Sequence, residues 1–204
     1  DLGELHRALP RPLSGARRPP GQETRMSDAP ERFETDRLIL RRPVAADAVP
    51  IFHGYAQDPE VSRFMIWAPH RELAQTESFL ADCERWWTEG GRYTFAIALK
   101  ESPRQPIGMI EMRLDGHRAD FGYVLARRYW GRGLMTEALR RLMLWSLAQP
   151  DIYRAQAYCD VENIASARVM EKAGMTFEGV LRRWLVHGNL GSTPRDCRLY
   201  ARVR

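Results

Sequence analysis

Phe121-Gly122-Tyr123-Val124-Leu125-Ala126-Arg127-Arg128-Tyr129-Trp130-Gly131-Arg132-Gly133-Leu134-Met135-Thr136-Glu137-Ala138 carries two different periodicities. Its first residues are apolar and β-prone and predict a buried strand. A short basic turn with two glycines follows. Then Leu134, Ala138, Leu142 and Trp145 recur at spacings of four, four and three, which is one face of a helix. The first turn of a helix has backbone N–H groups without intrahelical partners, and the helix dipole adds positive potential there. A phosphate suits such a site. Gly131 and Gly133 let the backbone approach an anion closely, and Arg127, Arg128 and Arg132 add charge around the turn. Neither G-x-x-x-x-G-K-[ST] nor a complete G-x-G-x-x-G is present, so the usual nucleotide fingerprints do not apply.

The rest of the composition narrows the class. At 204 residues one domain is the default, and 44% hydrophobic with 28% charged residues is ordinary for a globular protein. The net charge of +5 suits an anionic cofactor but forms no compact basic patch, so direct nucleic-acid binding is not expected. Cys83, Cys159 and Cys197 form neither a C-x-x-C pair nor an even set, and the histidines show no H-E-x-x-H, so no disulfide framework and no metal is expected. No apolar run is long enough to cross a bilayer and no signal-peptide core is seen, which makes the cytoplasm the simplest location.

Residues 1–30 are rich in Arg, Pro and Gly and predict a disordered tail; residues 31–204 form the domain. Within it, Thr35 to Arg42 predicts a first strand, Val44 to Gln57 and Asp58 to Met65 short helices, and Glu72 to Thr88 a longer one closed by Gly90-Gly91. Tyr93 to Leu99, Ile107 to Leu114 and Arg118 to Ala126 predict successive hairpin strands. Ile152 to Cys159 is a strand and Asn163 to Ala173 a helix ended by Gly174. Met175 to His187 and Thr193 to Val203 close the fold as an antiparallel pair. The expected class is α+β, with a central mixed sheet flanked by helices.

Arg128-x-x-Gly131-x-Gly133 resembles the [QR]-x-x-G-x-[GA] motif of the GCN5-related N-acetyltransferases (GNAT), and its Tyr-Trp-Gly-x-Gly and Thr-Glu-Ala context is similar to the ribosomal-protein N-terminal acetyltransferases of that superfamily. Thr35-Asp36-Arg37-Leu38-Ile39-Leu40-Arg41 resembles the subgroup's opening, Asn163 to Gly174 its "N-x-x-S…E-K-x-G" segment, and Arg195 to Ala201 its closing strand. The resemblance implies a V-shaped cleft for acetyl-CoA between neighbouring strands. It implies backbone contacts from Val124, Leu125 and Ala126 to the pantetheine arm, and a pyrophosphate cradle made by Arg128, Gly131, Arg132, Gly133, Leu134, Met135 and Thr136. It assigns a pantetheine hydrogen bond to Asn163. The tyrosine acid found seven residues after that asparagine in many members is here Met170, which has no proton to give. Ser166 matches the serine acid of the ribosomal-protein subgroup. Cys159 matches a cysteine of some members, and a buried inert thiol explains it as well.

Attack on a thioester needs a neutral amine, so a base or a water path must take a proton. Glu111, mid-strand among apolar residues, is a candidate for that base, its pKa raised by burial. A solvent-facing position, or pairing with Arg113, is the plain alternative. Trp67 and Arg71 are candidates for an acceptor pocket, and packing explains them equally well. Three functions remain open: acetylation of an N-terminal α-amine such as that of a ribosomal protein, acetylation of a small amine (polyamine, amino acid or antibiotic), and a non-catalytic acyl-CoA-binding module. The chain is expected to act as a monomer or homodimer.

Overall fold

The computed structural model describes residues 29–204. The tail expected over residues 1–30 therefore lies outside the described residues apart from Ala29 and Pro30, and Ala29 is buried against the core. In chain order the elements are β1 (Arg32–Glu34), β2 (Leu38–Arg41), α1 (Ala48–Ile51), α2 (Pro59–Ser62), α3 (Leu73–Glu89), β3 (Arg92–Leu99), β4 (Pro106–Asp115), β5 (Arg118–Leu125), α4 (Leu134–Leu147), β6 (Arg154–Asp160), α5 (Ile164–Ala173), β7 (Thr176–Leu185) and β8 (Arg195–Val203).

The strands form one sheet in the order β1-β2-β3-β4-β5-β6-β8-β7. All neighbours are antiparallel except β5 and β6, which are parallel and joined through α4. On one face Leu134, Ala138, Leu139 and Leu142 of α4 pack with Phe95, Ile97, Ile110 and Phe121 of the sheet and with Met170 of α5. On the other, Ala48, Ile51 and Tyr55 meet Leu80, Cys83 and Trp86 of α3 against Met109 and Ala126. Trp145, the last residue of the predicted apolar face, is half-buried and meets Phe33 edge-on at 5.5 Å.

Two elements differ from expectation. β1 leaves no signal in the sequence, because three residues are too short for a period; it exists because Phe33 is buried between Phe95 and Trp145. The helix expected over Val44 to Gln57 is instead a 3₁₀ turn (Ala45–Asp47), then α1, then a π-helical turn (Phe52–Ala56). Pro50 and Gly54 fall inside it and support regular α-helix poorly.

One close approach fixes the position of β5. A Cβ on Gly108 of β4 would lie 2.4 Å from Val124 O and 3.0 Å from Leu125 Cα. We expect Gly108→Ala to cost about 1–3 kcal/mol by overpacking. In a denaturant melt this should lower the midpoint without changing the slope.

Candidate active site

The parallel ladder between β5 and β6 ends at Phe121↔Ala157, whereas the antiparallel β4–β5 ladder continues to Gly108↔Leu125. Past Phe121, then, β5 has a neighbour on one side only. The Ala126 N–H donates to Ile107 O, so by antiparallel alternation Gly122, Val124 and Ala126 turn their backbone groups to β4. Tyr123 and Leu125 turn theirs into the gap, where the Trp130 indole N–H donates to Leu125 O at 2.6 Å. Of the three residues expected to make backbone contacts, only Leu125 turns its backbone to the gap, together with Tyr123, while Val124 lines the cavity. Ala126 is buried in the core.

A cavity of about 440 Å³ occupies the gap and runs to the start of α4. Val124, Leu125, Gly131, Gly133, Leu134, Met135, Thr136, Asn163 and Ser166 all line it, so the structure gathers most of the residues singled out in the sequence. Gly133 precedes α4 in the left-handed region (φ 73°), and no side chain among the described residues caps the helix. The first intrahelical bond there is from Glu137 N to Gly133 O, which leaves the N–H groups of Leu134, Met135 and Thr136 as the unpaired donors of the first turn. Arg128 and Arg132 fall outside the lining; their guanidinium groups lie over the Tyr129 ring at 5.1 and 5.6 Å.

The turn is tied to the connection between β1 and β2. The Thr35 hydroxyl and the Arg37 N–H donate to Glu137 Oε1 at 2.5 and 3.0 Å, and Arg37 Nε donates to Oε2 at 2.7 Å. Arg37 Nη1 donates to Arg132 O at 3.0 Å. Burial alone would raise the Glu137 pKa, but these bonds from Thr35 and Arg37 outweigh it and hold the carboxyl below its ordinary range.

A second cavity, of about 200 Å³, adjoins the first and shares Phe64, Met65, Tyr123, Val124, Asn163 and Ser166 with it. Ser166 thus stands at the junction. Its hydroxyl is not a helix cap: Asn163 Oδ1 caps α5 by accepting the Ser166 N–H at 3.1 Å. The Ser166 hydroxyl instead meets the Tyr123 hydroxyl at 2.8 Å. Burial pushes the Tyr123 phenol well up, opposed by that hydrogen bond. The Cys159 thiol, which donates to Asn163 O, is pushed up to about 11 by burial, with the Ser166 hydroxyl opposing, and stays protonated at neutral pH. Met170 is fully buried in the core.

Glu111 lines the smaller cavity, but not as a lone carboxylate among apolar groups. Arg92 Nε donates to its Oε2 at 2.8 Å and Arg113 pairs with Oε1 at 3.4 Å. Strand pairing explains this: Arg92 and Arg113 are register partners on β3 and β4, and Glu111 sits two residues from Arg113 on the same face. Trp67 lines this cavity and Arg71 does not. The segment Ser62–Trp67 that roofs both cavities is held by Asn189, whose side-chain amide donates to Ser62 O at 2.7 Å and to Trp67 O at 2.9 Å.

The sequence profile of the acetyltransferase (GNAT) domain matches residues 37–176. The chain belongs to the GNAT acetyltransferase family. An N-acetyltransferase of Bacillus licheniformis, p20, is 29% identical to it over 74% of this chain and 86% of its own. Among solved structures, the microcin C7 self-immunity acetyltransferase MccE in complex with acetyl-CoA and AMP superposes with a TM-score of 0.74 at 22% identity, over 83% of this chain and 94% of its own. The ribosomal L7/L12 α-N-protein acetyltransferase RimL in complex with coenzyme A gives 0.72 at 20%, over 83% and 95%.

Several residues that line the cavities of this acetyltransferase went unrecognised in the sequence. Arg168 and Lys172 line the larger cavity with Ala165 and Val169, and this i, i+3, i+4, i+7 face was readable. Tyr123 also follows from strand alternation. His187 and Asp160 carry no local signal, since folding alone brings them to the site, and the same holds for Asn189, which lines neither cavity but fastens Ser62 and Trp67.

Glu137 offers a test of how the turn is held. Its folded pKa lies below the unfolded value near 4.5, so its contribution is full above that value and is lost as pH falls through the folded pKa. Glu137→Gln should therefore lower stability by about 1–2 kcal/mol at pH 7. The gap between wild-type and variant melting temperatures should close as the pH falls below about 4.

Proposed function

We propose that this acetyltransferase moves the acetyl group of acetyl-CoA to the α-amine at a protein or peptide N-terminus, ribosomal-protein N-termini being one such class. The observation that carries the reading is the meeting of two cavities at Ser166. The larger suits acetyl-CoA. Tyr123 and Leu125 would receive the pantetheine arm as an added strand, Asn163 would bond to it, and the turn from Gly131 to Thr136 would hold the pyrophosphate with Arg168 and Lys172 across from it. Arg128 and Arg132 would add potential from the rim. The smaller cavity would take the acceptor. Its polar lining holds Glu111 and Asp160 against Arg92 and Arg113, and both carboxylates already have arginine partners. A polyamine calls for several uncommitted carboxylates, which this lining does not offer. The apolar side chains of Phe64, Ile66, Trp67 and Phe79 suit an uncharged first residue of a peptide. The cysteines are free, as fits work in a reducing cytoplasm.

Ser166 would give a hydrogen bond to the departing thiolate. The Tyr123 hydroxyl has Ser166 O at 3.2 Å and Ser166 Oγ at 2.8 Å as acceptors; when it donates to Oγ, the serine proton is free to point at sulfur. Ser166→Ala should lower kcat by roughly tenfold to a few hundredfold with little change in CoA affinity. Because Asn163 supplies the cap, the melting temperature should hold. Full activity in that variant would remove Ser166 from the chemistry.

Gly133→Glu places a side chain and a negative charge where the pyrophosphate would lie. Calorimetry should show CoA affinity reduced at least about tenfold, a cost of about 1.4 kcal/mol. The acceptor is decided by thiol release from acetyl-CoA with Ser- or Ala-initiated peptides against spermidine and small amines. Peptide turnover supports the reading, spermidine turnover alone overturns the acceptor, and no turnover with any amine overturns the activity.

A further inference from the structure

We propose that His187 is the general base of this transfer, taking the proton that the acceptor amine sheds as it attacks; the inference rests on the acetyl-transfer reading. The residue is only 3% exposed, yet neither ring nitrogen has a partner at full hydrogen-bond geometry among the described residues, the Phe64 backbone and Asp160 being its nearest polar influences. A buried polar group without a partner is costly and calls for a reason. Here the ring lines the smaller cavity, with Ser166 among the other lining residues. An amine entering that cavity would supply the missing partner.

The backbone directs it there. Between Leu181 and Leu185 the β7–β8 register shifts, and Arg183 adopts φ 50°, an unusual value for a residue with a side chain. Asp196 Oδ1 holds that distortion by accepting the Arg183 N–H at 2.8 Å. Beyond the bulge the otherwise exposed strand turns inward, so that Leu185 and His187 are buried and line the cavity.

The surroundings suit a base. Asp160, on β6, lies with Oδ2 3.6 Å from His187 Nε2, and Asp160 is itself fixed by Arg195 of β8 at 2.5 and 3.1 Å and by the Glu162 N–H at 2.9 Å. From β4 and β3 the same cavity is faced by Glu111, Arg113 and Arg92, and from β6 by Tyr158. Phe64 meets the imidazole edge-on, with centroids 6.5 Å apart. Burial pulls the His187 pKa below its ordinary value; Asp160 opposes this, Arg195 adds to it and the Phe64 backbone opposes it. The ring is therefore neutral at pH 7 and able to accept a proton, and Asp160 is placed to stabilise the imidazolium. Glu111 is less suited, since both its oxygens are committed to arginines.

The step balances as follows. A neutral amine nitrogen attacks the thioester carbonyl carbon, the N–C bond forms, and the carbonyl electron pair moves to oxygen. The nitrogen proton passes to His187. The oxygen pair returns, the C–S bond breaks, and the thiolate leaves against the Ser166 hydrogen bond and takes its proton from solvent. The His187 imidazolium then releases its proton to solvent.

The test compares kcat/KM against pH for wild type, His187→Gln and Glu111→Gln, with CoA binding followed by calorimetry. Wild type should show an acid limb with an apparent pKa at or below about 6.5. His187→Gln should lose about 10²–10⁴-fold in kcat and lose the limb while binding CoA normally. Added imidazole should restore part of the rate to His187→Gly, and Glu111→Gln should keep the limb. A His187→Gln enzyme with wild-type kcat, or a limb that disappears only in Glu111→Gln, overturns the assignment and leaves acetyl transfer intact. Absence of wild-type turnover with every amine overturns the transfer reading and this proposal with it. If His187→Gln does not fold, NMR titration of the wild-type histidines decides. His187 must titrate with the kinetic limb, and a ring titrating elsewhere overturns the proposal.

Discussion

The early end of the β5–β6 ladder is the constraint on which the rest of the molecule depends. A parallel pair that stops after four rungs leaves backbone groups of Tyr123 and Leu125 without a strand to bond, and of these only Leu125 O has a partner, the Trp130 indole N–H, among the hydrogen bonds of the described residues. Exposed in the middle of a sheet, such groups are a standing template for an extended ligand. Both helices that begin near the gap then acquire a role from their position. α5 starts where β6 ends and is capped by its own Asn163. α4 starts beyond β5 and is left uncapped among the described residues. One helix terminus is closed by the protein and the other is open to an anion.

Keeping the two strands apart requires support on both sides. Gly108 lets β4 hold the far part of β5 at close range, so β5 stays with β4 rather than closing on β6. At the N-terminal end of α4, Thr35 and Arg37 of the β1–β2 connection anchor Glu137 and the Arg132 carbonyl. The opening motif of the chain thus reaches the glycine turn about a hundred residues away.

The strand–turn–helix was legible because its periodicity is local, and Asn163, Ser166, Gly131 and Gly133 were legible because they sit within it or within a second helix start. The smaller cavity was far less so. Glu111 was visible as a carboxylate in an apolar strand, but its two arginines come from register pairing that no local pattern reveals. His187 lies past a bulge that a period of two cannot anticipate. Asp160 looks like an ordinary strand end until Arg195 arrives from β8. Thr35 and Arg37 could be matched to a familiar opening, yet their grip on Glu137 follows only from the folded chain.

Phe64 and Met65 border both cavities, and the segment carrying them is fastened at Ser62 and Trp67 by the single amide of Asn189. A ligand that displaces these side chains in one chamber alters the walls of the other. Thermodynamic reciprocity then applies: whatever factor the first ligand imposes on the second, the second imposes on the first. Two ligands held in the two chambers would thus be coupled through one short strap of chain that both must share.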